Sequence, residues 1–252
     1  VRLPPEGKRT LIWDLETAGV QGLCADRGYI VCFGWKWLGE SQAHCISLLD
    51  YPGRGGQAKW PSNCQEDQNL LRAALEIMEQ AELLVAHYGE KFDRPFFESR
   101  LLQAGLKPIP MVRQADTCLI ARYKLKLSSN RLANVASFLK VKTEKMQKGS
   151  GWPDWWLGAL RGDKESIKKM SVYCAKDVQC LEEVFKAMRH VIPDKYLLNA
   201  GVNELMWKCP SCGGGNRRRY GYYWTAMQLF SRYQCKGCGA WSRSRKAIKK
   251  AP

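Results

Sequence analysis

Apolar and polar positions follow two regimes along this chain. From residue 10 to about residue 190 they repeat with the periods of regular elements; beyond residue 200 they give way to glycine, arginine and aromatic residues. The first regime opens on three strand-like stretches, residues 10–14, 29–38 and 43–49, rich in Ile, Val, Trp and Phe and separated by glycine-containing turns. The rhythm then becomes helical. Leu70, Leu71, Ala74, Leu75 and Met78 recur at helical spacing, with Gln65, Glu66 and Asp67 ahead of them as an acidic first turn. Residues 83–86 read as a short buried strand, 95–104 as a helix, 131–139 as a helix capped by Asn130 or Ser129, and 166–190 as a long helix. On that last helix Ile167, Met170, Cys174, Val178, Leu181 and Phe185 form a stripe that anchors it on a sheet and leaves Tyr173 and Asp177 toward one edge. Three adjacent strands followed by alternating helix and strand is the element order of a mixed sheet flanked by helices.

Charge sharpens the division. The chain of 252 residues carries a formal +16, and residues 201–252 hold eleven Lys or Arg against one acid, so this fifth of the chain supplies most of the excess. The shift places a boundary near residues 195–208 and two domains at 1–200 and 201–252. Such a surface attracts polyanions over roughly 8 Å, the Debye length at physiological salt, which makes nucleic acid the expected partner. A membrane is not expected, because no long uncharged apolar run and no basic amphipathic helix occurs. Residues 1–9 are polar and Pro-containing, unlike a signal peptide, and the leading Val suggests that the natural start is altered or missing. Seven cysteines are scattered singly (Cys24, Cys32, Cys45, Cys64, Cys118, Cys174 and Cys180), several in apolar stretches, as expected of an intracellular, cytoplasmic protein.

Three acidic motifs carry the candidate chemistry. Asp14 and Glu16 are i and i+2 on a strand, so their carboxylates share a face and call for a cation to neutralise them. Asp93 stands at the start of the helix that follows the short strand, where capping is the alternative reading. Tyr173 and Asp177 are i and i+4 on the long helix, one turn apart on one face. Asp-x-Glu on a first strand, Gly89-x-x-Phe92-Asp93, and Tyr173-x-x-x-Asp177 on a late helix together resemble the three motifs of the DEDD exonuclease superfamily, in its tyrosine-bearing branch. That branch includes proofreading domains of DNA polymerases and many phage or prophage exonucleases.

The resemblance covers residues 10–185 and implies a ribonuclease-H-like fold and a 3′–5′ exonuclease, DNA slightly favoured over RNA. Asp14, Glu16, Asp93 and Asp177 would bind two Mg²⁺ or Mn²⁺ ions, and Tyr173 would orient the attacking water. The substrate would be a single strand or a duplex 3′ end, with a subunit of a replication or repair complex, and so a replication or repair partner, as a further reading. One position departs from the pattern: Tyr88 stands where the family carries Asn, which bears on placement of the terminal nucleotide. Other residues keep two readings. His87 is either a hydrogen-bonded structural histidine or a base, Asp116 either a helix N-cap or a fifth acid, and Trp152, Trp155 and Trp156 either stack on bases or pack a loop.

Beyond the boundary, Cys209-x-x-Cys212 and Cys235-x-x-Cys238 are separated by 22 residues, a spacing suited to one tetrahedral Zn²⁺ in a small zinc-ribbon β domain. Two disulfides are the alternative. Residues 219–224 and 227–233 are aromatic-rich enough for two antiparallel strands. Arg217, Arg218, Arg219, Tyr222, Trp224, Arg243 and Arg245 are the candidate nucleic-acid contacts, followed by Lys246, Lys249 and Lys250; phosphates attract the cations and bases stack on the rings. Rival functions are a non-catalytic nucleic-acid-binding protein on the same scaffold and a ribonuclease-H-like endonuclease.

Overall fold

The first apolar stretch becomes β1 (Thr10–Gly19), which pairs antiparallel with β2 (Gly28–Trp37) on one side and parallel with β4 (Leu83–Ala86) on the other. Beyond β2 lies β3 (His44–Ser47), antiparallel to it, and beyond β4 lies β5 (Arg113–Asp116), parallel to it, giving the order β3-β2-β1-β4-β5. These features come from a computed structural model that describes residues 10–19, 23–51, 67–143, 154–192 and 208–248. The chain divides into two compact units, Val1–Phe185 and Lys186–Pro252.

Both faces of the central strands are covered, which is why β4 is buried throughout and reads as a continuous apolar run. On one face α1 (Gln68–Met78) and α2 (Asp93–Gln103) close a core built on Leu11, Trp13, Leu15, Phe33 and Phe97. A second core joins Ala18, Val31 and Cys32 to Trp156 and Ala159 of α5 (Asp154–Leu160) and to Ile167, Met170 and Cys174 of α6 (Lys164–Ala187). Two shorter helices, α3 (Thr117–Lys124) and α4 (Leu132–Phe138), complete the unit. The expected mixed sheet flanked by helices is the architecture found.

Several local expectations need correction. Asp67 is not part of an acidic first turn: it precedes α1, is fully buried, and forms an ion pair of 2.7 Å with Arg100 while accepting the Ile30 N–H at 3.0 Å. Gln65 and Glu66 lie outside the described residues. Neither Asn130 nor Ser129 is the N-cap of α4, which is Arg131; Ser129 Oγ accepts the Arg131 N–H one residue earlier. The long helix ends at Ala187 and a 3₁₀ turn, Met188–His190, follows. Its buried face is wider than one stripe, because Tyr173, Asp177, Cys180 and Glu182 are buried too. β5, α3 and α5 were not read as elements: a strand with the sequence Arg-Gln-Ala-Asp carries no apolar period, and residues 154–160, read as a loop, are helical.

The second unit contains a three-stranded antiparallel sheet of β6 (Arg217–Trp224), β7 (Leu229–Cys235) and β8 (Trp241–Arg243). The third strand is additional to the two expected. Its buried cluster is small, Cys209, Cys235 and Ala240, so apolar burial alone offers little to hold it. The expected boundary at 195–208 falls almost wholly outside the described residues, as do Lys249 and Lys250. Among the described residues no helix is long and apolar enough to cross a membrane.

Candidate functional site

On β1 the alternation of the strand sends Trp13 and Leu15 into the α1/α2 core and turns Asp14 and Glu16 to the other face. Asp14 lies opposite Gly34 and Glu16 opposite Cys32 on β2, and the pairing register shifts immediately after Glu16. That irregularity ends the regular stretch just beyond the two carboxylates, a common place for such a feature beside a site.

Gly34 decides how near α6 comes. A side chain there would meet Cys174 Sγ at 2.6 Å and Val178 at 3.0 Å, so only glycine admits the helix at this distance. The Cys174 thiol consequently lies 3.7 Å from the Asp14 carbonyl oxygen and 4.0 Å from Asp14 Oδ2. Ligand atoms of Asp14, Glu16 and Cys174 all fall within 4.8 Å of one another. A second tie fixes the far part of the helix: buried Lys36 of β2 pairs with Glu182 at 2.7 Å and donates to Gln179 at 2.7 Å, while Glu182 accepts the Gly39 N–H.

Tyr173 and Asp177 thus reach the same neighbourhood from α6. Burial raises the Tyr173 phenol well above its ordinary range, and the Asp177, Glu16 and Asp14 carboxylates raise it further. The ring is held by Trp155 and Trp156, whose centroids lie 5.6 and 6.4 Å away. These two tryptophans therefore pack, and Trp152 lies outside the described residues. Asp93 enters from the start of α2 and does not cap it; its Oδ1 accepts the Leu15 N–H at 3.2 Å, on the strand segment between Asp14 and Glu16. Burial pushes its carboxyl up to about 7, opposed by the N–H groups of Leu15 and of Asp93 itself and assisted by the nearby Asp116. Asp93 and Asp177 stand outside the tight group formed by Asp14, Glu16 and Cys174.

Asp116 takes its N-cap role, accepting from the Cys118 and Leu119 N–H groups at 2.9 and 3.0 Å, and it also accepts from Tyr88 and Glu90. His87 is structural, with its ring nitrogens 2.8 Å from Thr117 Oγ1 and from the Asn130 carbonyl. Tyr88 has a positive φ of 69° and is 42% exposed. This left-handed conformation suits Asn better than Tyr, so Tyr88 holds the turn at a cost in strain. Cys174 is the member of the site that the sequence did not single out, because at its position the apolar stripe explained it fully.

In the second unit the thiols of Cys209, Cys212, Cys235 and Cys238 lie within 4.8 Å of one another. Gly213 and Gly239, at φ 74° and 76°, turn the backbone just past each pair, and their N–H groups donate to the Cys209 and Cys235 carbonyls. Around this cluster the sheet interleaves cations and rings. Arg217 lies over Tyr233, Arg218 over Tyr220, Arg219 over Tyr222, Arg232 over Trp241 and Arg243 over Phe230, at 3.9 to 5.4 Å from the centroids. Trp224 is 69% exposed. Arg232 and Trp241 join the cations and rings of this sheet; the sequence did not single them out, because their contact joins β7 to β8.

A protein-family model described as the RNase H superfamily matches residues 11–189. No curated protein matches the chain. Among solved structures, the family B DNA polymerase from the hyperthermophilic archaeon Pyrobaculum calidifontis aligns with 76% of this chain at 13% identity and a TM-score of 0.49. The chain spans 26% of that polymerase's length. Because the family match takes in all five strands of the first sheet and the helices that bear its acids, the chain belongs to the RNase H superfamily, a membership that supports metal-dependent hydrolysis of nucleic acid.

Proposed function

We propose that the first unit is a 3′–5′ exonuclease of the DEDD type, in its tyrosine-bearing branch, and that the second is a zinc ribbon that grips the substrate strand. The observation that carries this reading is the convergence of the Asp14 and Glu16 carboxylates, within 4.8 Å of each other and of Cys174, on the helix that bears Tyr173 and Asp177. Buried carboxylates at this density fit hard divalent cations: Glu16, Asp93 and Asp177 are each at most 6% exposed, and like charges so placed favour a neutralising ion. Asp14, Glu16, Asp93 and Asp177 would hold two Mg²⁺ or Mn²⁺ ions, which would supply an activated water and stabilise the leaving 3′ oxygen.

The protein's own groups then do the positioning. Tyr173 stays a neutral phenol at physiological pH, so it acts by placing a water through its hydroxyl and not as a base. Trp155 and Trp156 fix the ring that carries this hydroxyl. Asp93 is held by the Leu15 N–H beside the strand that bears the first two acids. The four thiols of the ribbon fit a closed tetrahedral Zn²⁺ with no open position, which gives that ion a structural role. Its arginines would meet phosphates and its rings would stack on bases. The likeness of the motifs to proofreading domains favours DNA over RNA.

Incubation with end-labelled single- and double-stranded DNA and RNA, in Mg²⁺, Mn²⁺ or EDTA, tests the proposal. Expected is cation-dependent release of mononucleotides from the 3′ end, lost in Asp14→Ala and Asp177→Ala while nucleic-acid binding persists. Cleavage of circular substrate as fast as linear, or full turnover in either variant, would overturn it. Removal of residues 201–252 should weaken binding to a strand more than it slows hydrolysis of a mononucleotide ester.

A further inference from the structure

Three cysteines that are scattered in sequence lie on the face of the sheet that bears the acids. Gly34 lies directly opposite Cys45 on β3, and Cys32 stands two residues before it on β2. Cross-strand partners share a face with Cβ atoms about 4.5 to 5.5 Å apart. Cys174 Sγ fills the place beside Gly34 that a side chain would occupy, so it stands over the sheet face that Gly34 shares with Cys45. The Cys45 thiol itself donates to the Ile46 carbonyl at 3.7 Å. The three differ in access. Cys32 and Cys174 are fully buried, whereas Cys45 is partly exposed on the edge strand of the sheet. Cys32 is engaged with Ser171 Oγ at 3.4 Å, and Cys174 is the sulfur that occupies the space over Gly34, the residue opposite Cys45.

We propose that Cys45 is a site of oxidative modification by hydroperoxides and that Cys174 resolves it, forming a disulfide between β3 and the helix that carries Tyr173 and Asp177. In the first step the Cys45 sulfur attacks a peroxide oxygen and the O–O bond breaks. Sulfur is oxidised by two electrons to the sulfenic acid, the peroxide is reduced to an alcohol or water, and the thiol proton goes to the departing oxygen. In the second step the Cys174 sulfur attacks Cys45, an S–S bond forms, and the sulfenic oxygen leaves as water with the Cys174 proton. The link draws Cys174 Sγ off the Asp14 carbonyl and carboxylate it now contacts at 3.7 and 4.0 Å. Its effect on hydrolysis rests on the nuclease reading above; the modification itself does not.

The test treats the whole zinc-loaded protein with hydrogen peroxide, maps peptides without reduction, and follows hydrolysis of end-labelled single-stranded DNA. Expected is a Cys45–Cys174 linked peptide that disappears with dithiothreitol, together with a fall in hydrolysis of about tenfold or more that dithiothreitol reverses. Cys45→Ser should hydrolyse normally and keep its activity after peroxide. A peptide map in which Cys45 is unmodified, or joined to another cysteine, overturns the proposal, as does equal inactivation of Cys45→Ser. If the untreated protein hydrolyses nothing, the nuclease reading fails while the linked peptide still decides the modification.

Discussion

In the first unit Asp14 and Glu16 ride on a strand whose opposite face is packed by Trp13, Leu15, Phe33 and Phe97, so a core of large side chains presents the acids. In the second the buried cluster consists of two cysteines and an alanine, with a third cysteine packed against it, so the candidate ligands are nearly the whole core. The same demand, bringing like or reactive groups together, is met in opposite ways. Carboxylates that repel one another are imposed by hydrophobic burial elsewhere in the unit, whereas four thiols hold a sheet together only through what they bind. On the proposed reading a metal would be an occupant of the first unit and a structural member of the second.

That contrast can be broken by experiment. Stripping zinc with a strong chelator should unfold the second unit outright, since structural zinc contributes about 10 to 16 kcal/mol in small domains, while the first unit's melting is unmoved. Circular dichroism and tryptophan fluorescence on the zinc-loaded and stripped protein would read this, and a sheet that survives without zinc would refute it. Asp67→Ala should cost the first unit about 3 to 5 kcal/mol, because it leaves the Arg100 guanidinium buried without its bidentate partner. Denaturant titration measures that loss. Gly34→Val should cost about 1 to 3 kcal/mol by driving a side chain into Cys174 and Val178, and should slow hydrolysis as α6 is displaced from Asp14. Asp14→Asn should change stability by no more than about 0.5 kcal/mol, since it relieves repulsion without opening a cavity, yet abolish turnover. A large stability loss in that last variant would mean that the acid pair itself supports the fold.

Much of the first unit was legible because its elements announce themselves locally. The period of 2 in β1 places Asp14 and Glu16 on one face, and the helical spacing from Leu70 to Met78 marks α1. The Cys-x-x-Cys pairs were equally plain, since a ligand set with fixed short spacing needs no knowledge of the rest of the chain. Illegible were β5, whose polar residues are buried by neighbours that lie far off in sequence, and the roles of Asp67 and Lys36. Both charges look like surface residues until Arg100 and Glu182 arrive from distant helices.

By itself, then, the sequence determined most of the strands and helices, though not β5, α3 or α5, and which carboxylates and thiols can share a face, because these follow from periods of 2 and 3.6 residues and from short spacings. Only the tertiary structure decided the distances. It placed Asp93 on the Leu15 N–H, 78 residues away. It set Trp155 and Trp156 on the Tyr173 ring and used the missing side chain of Gly34 to bring Cys174 onto Asp14 and near Cys45. The reason is physical: contacts between remote segments depend on how side-chain volumes interlock when whole elements pack, and no local period encodes that.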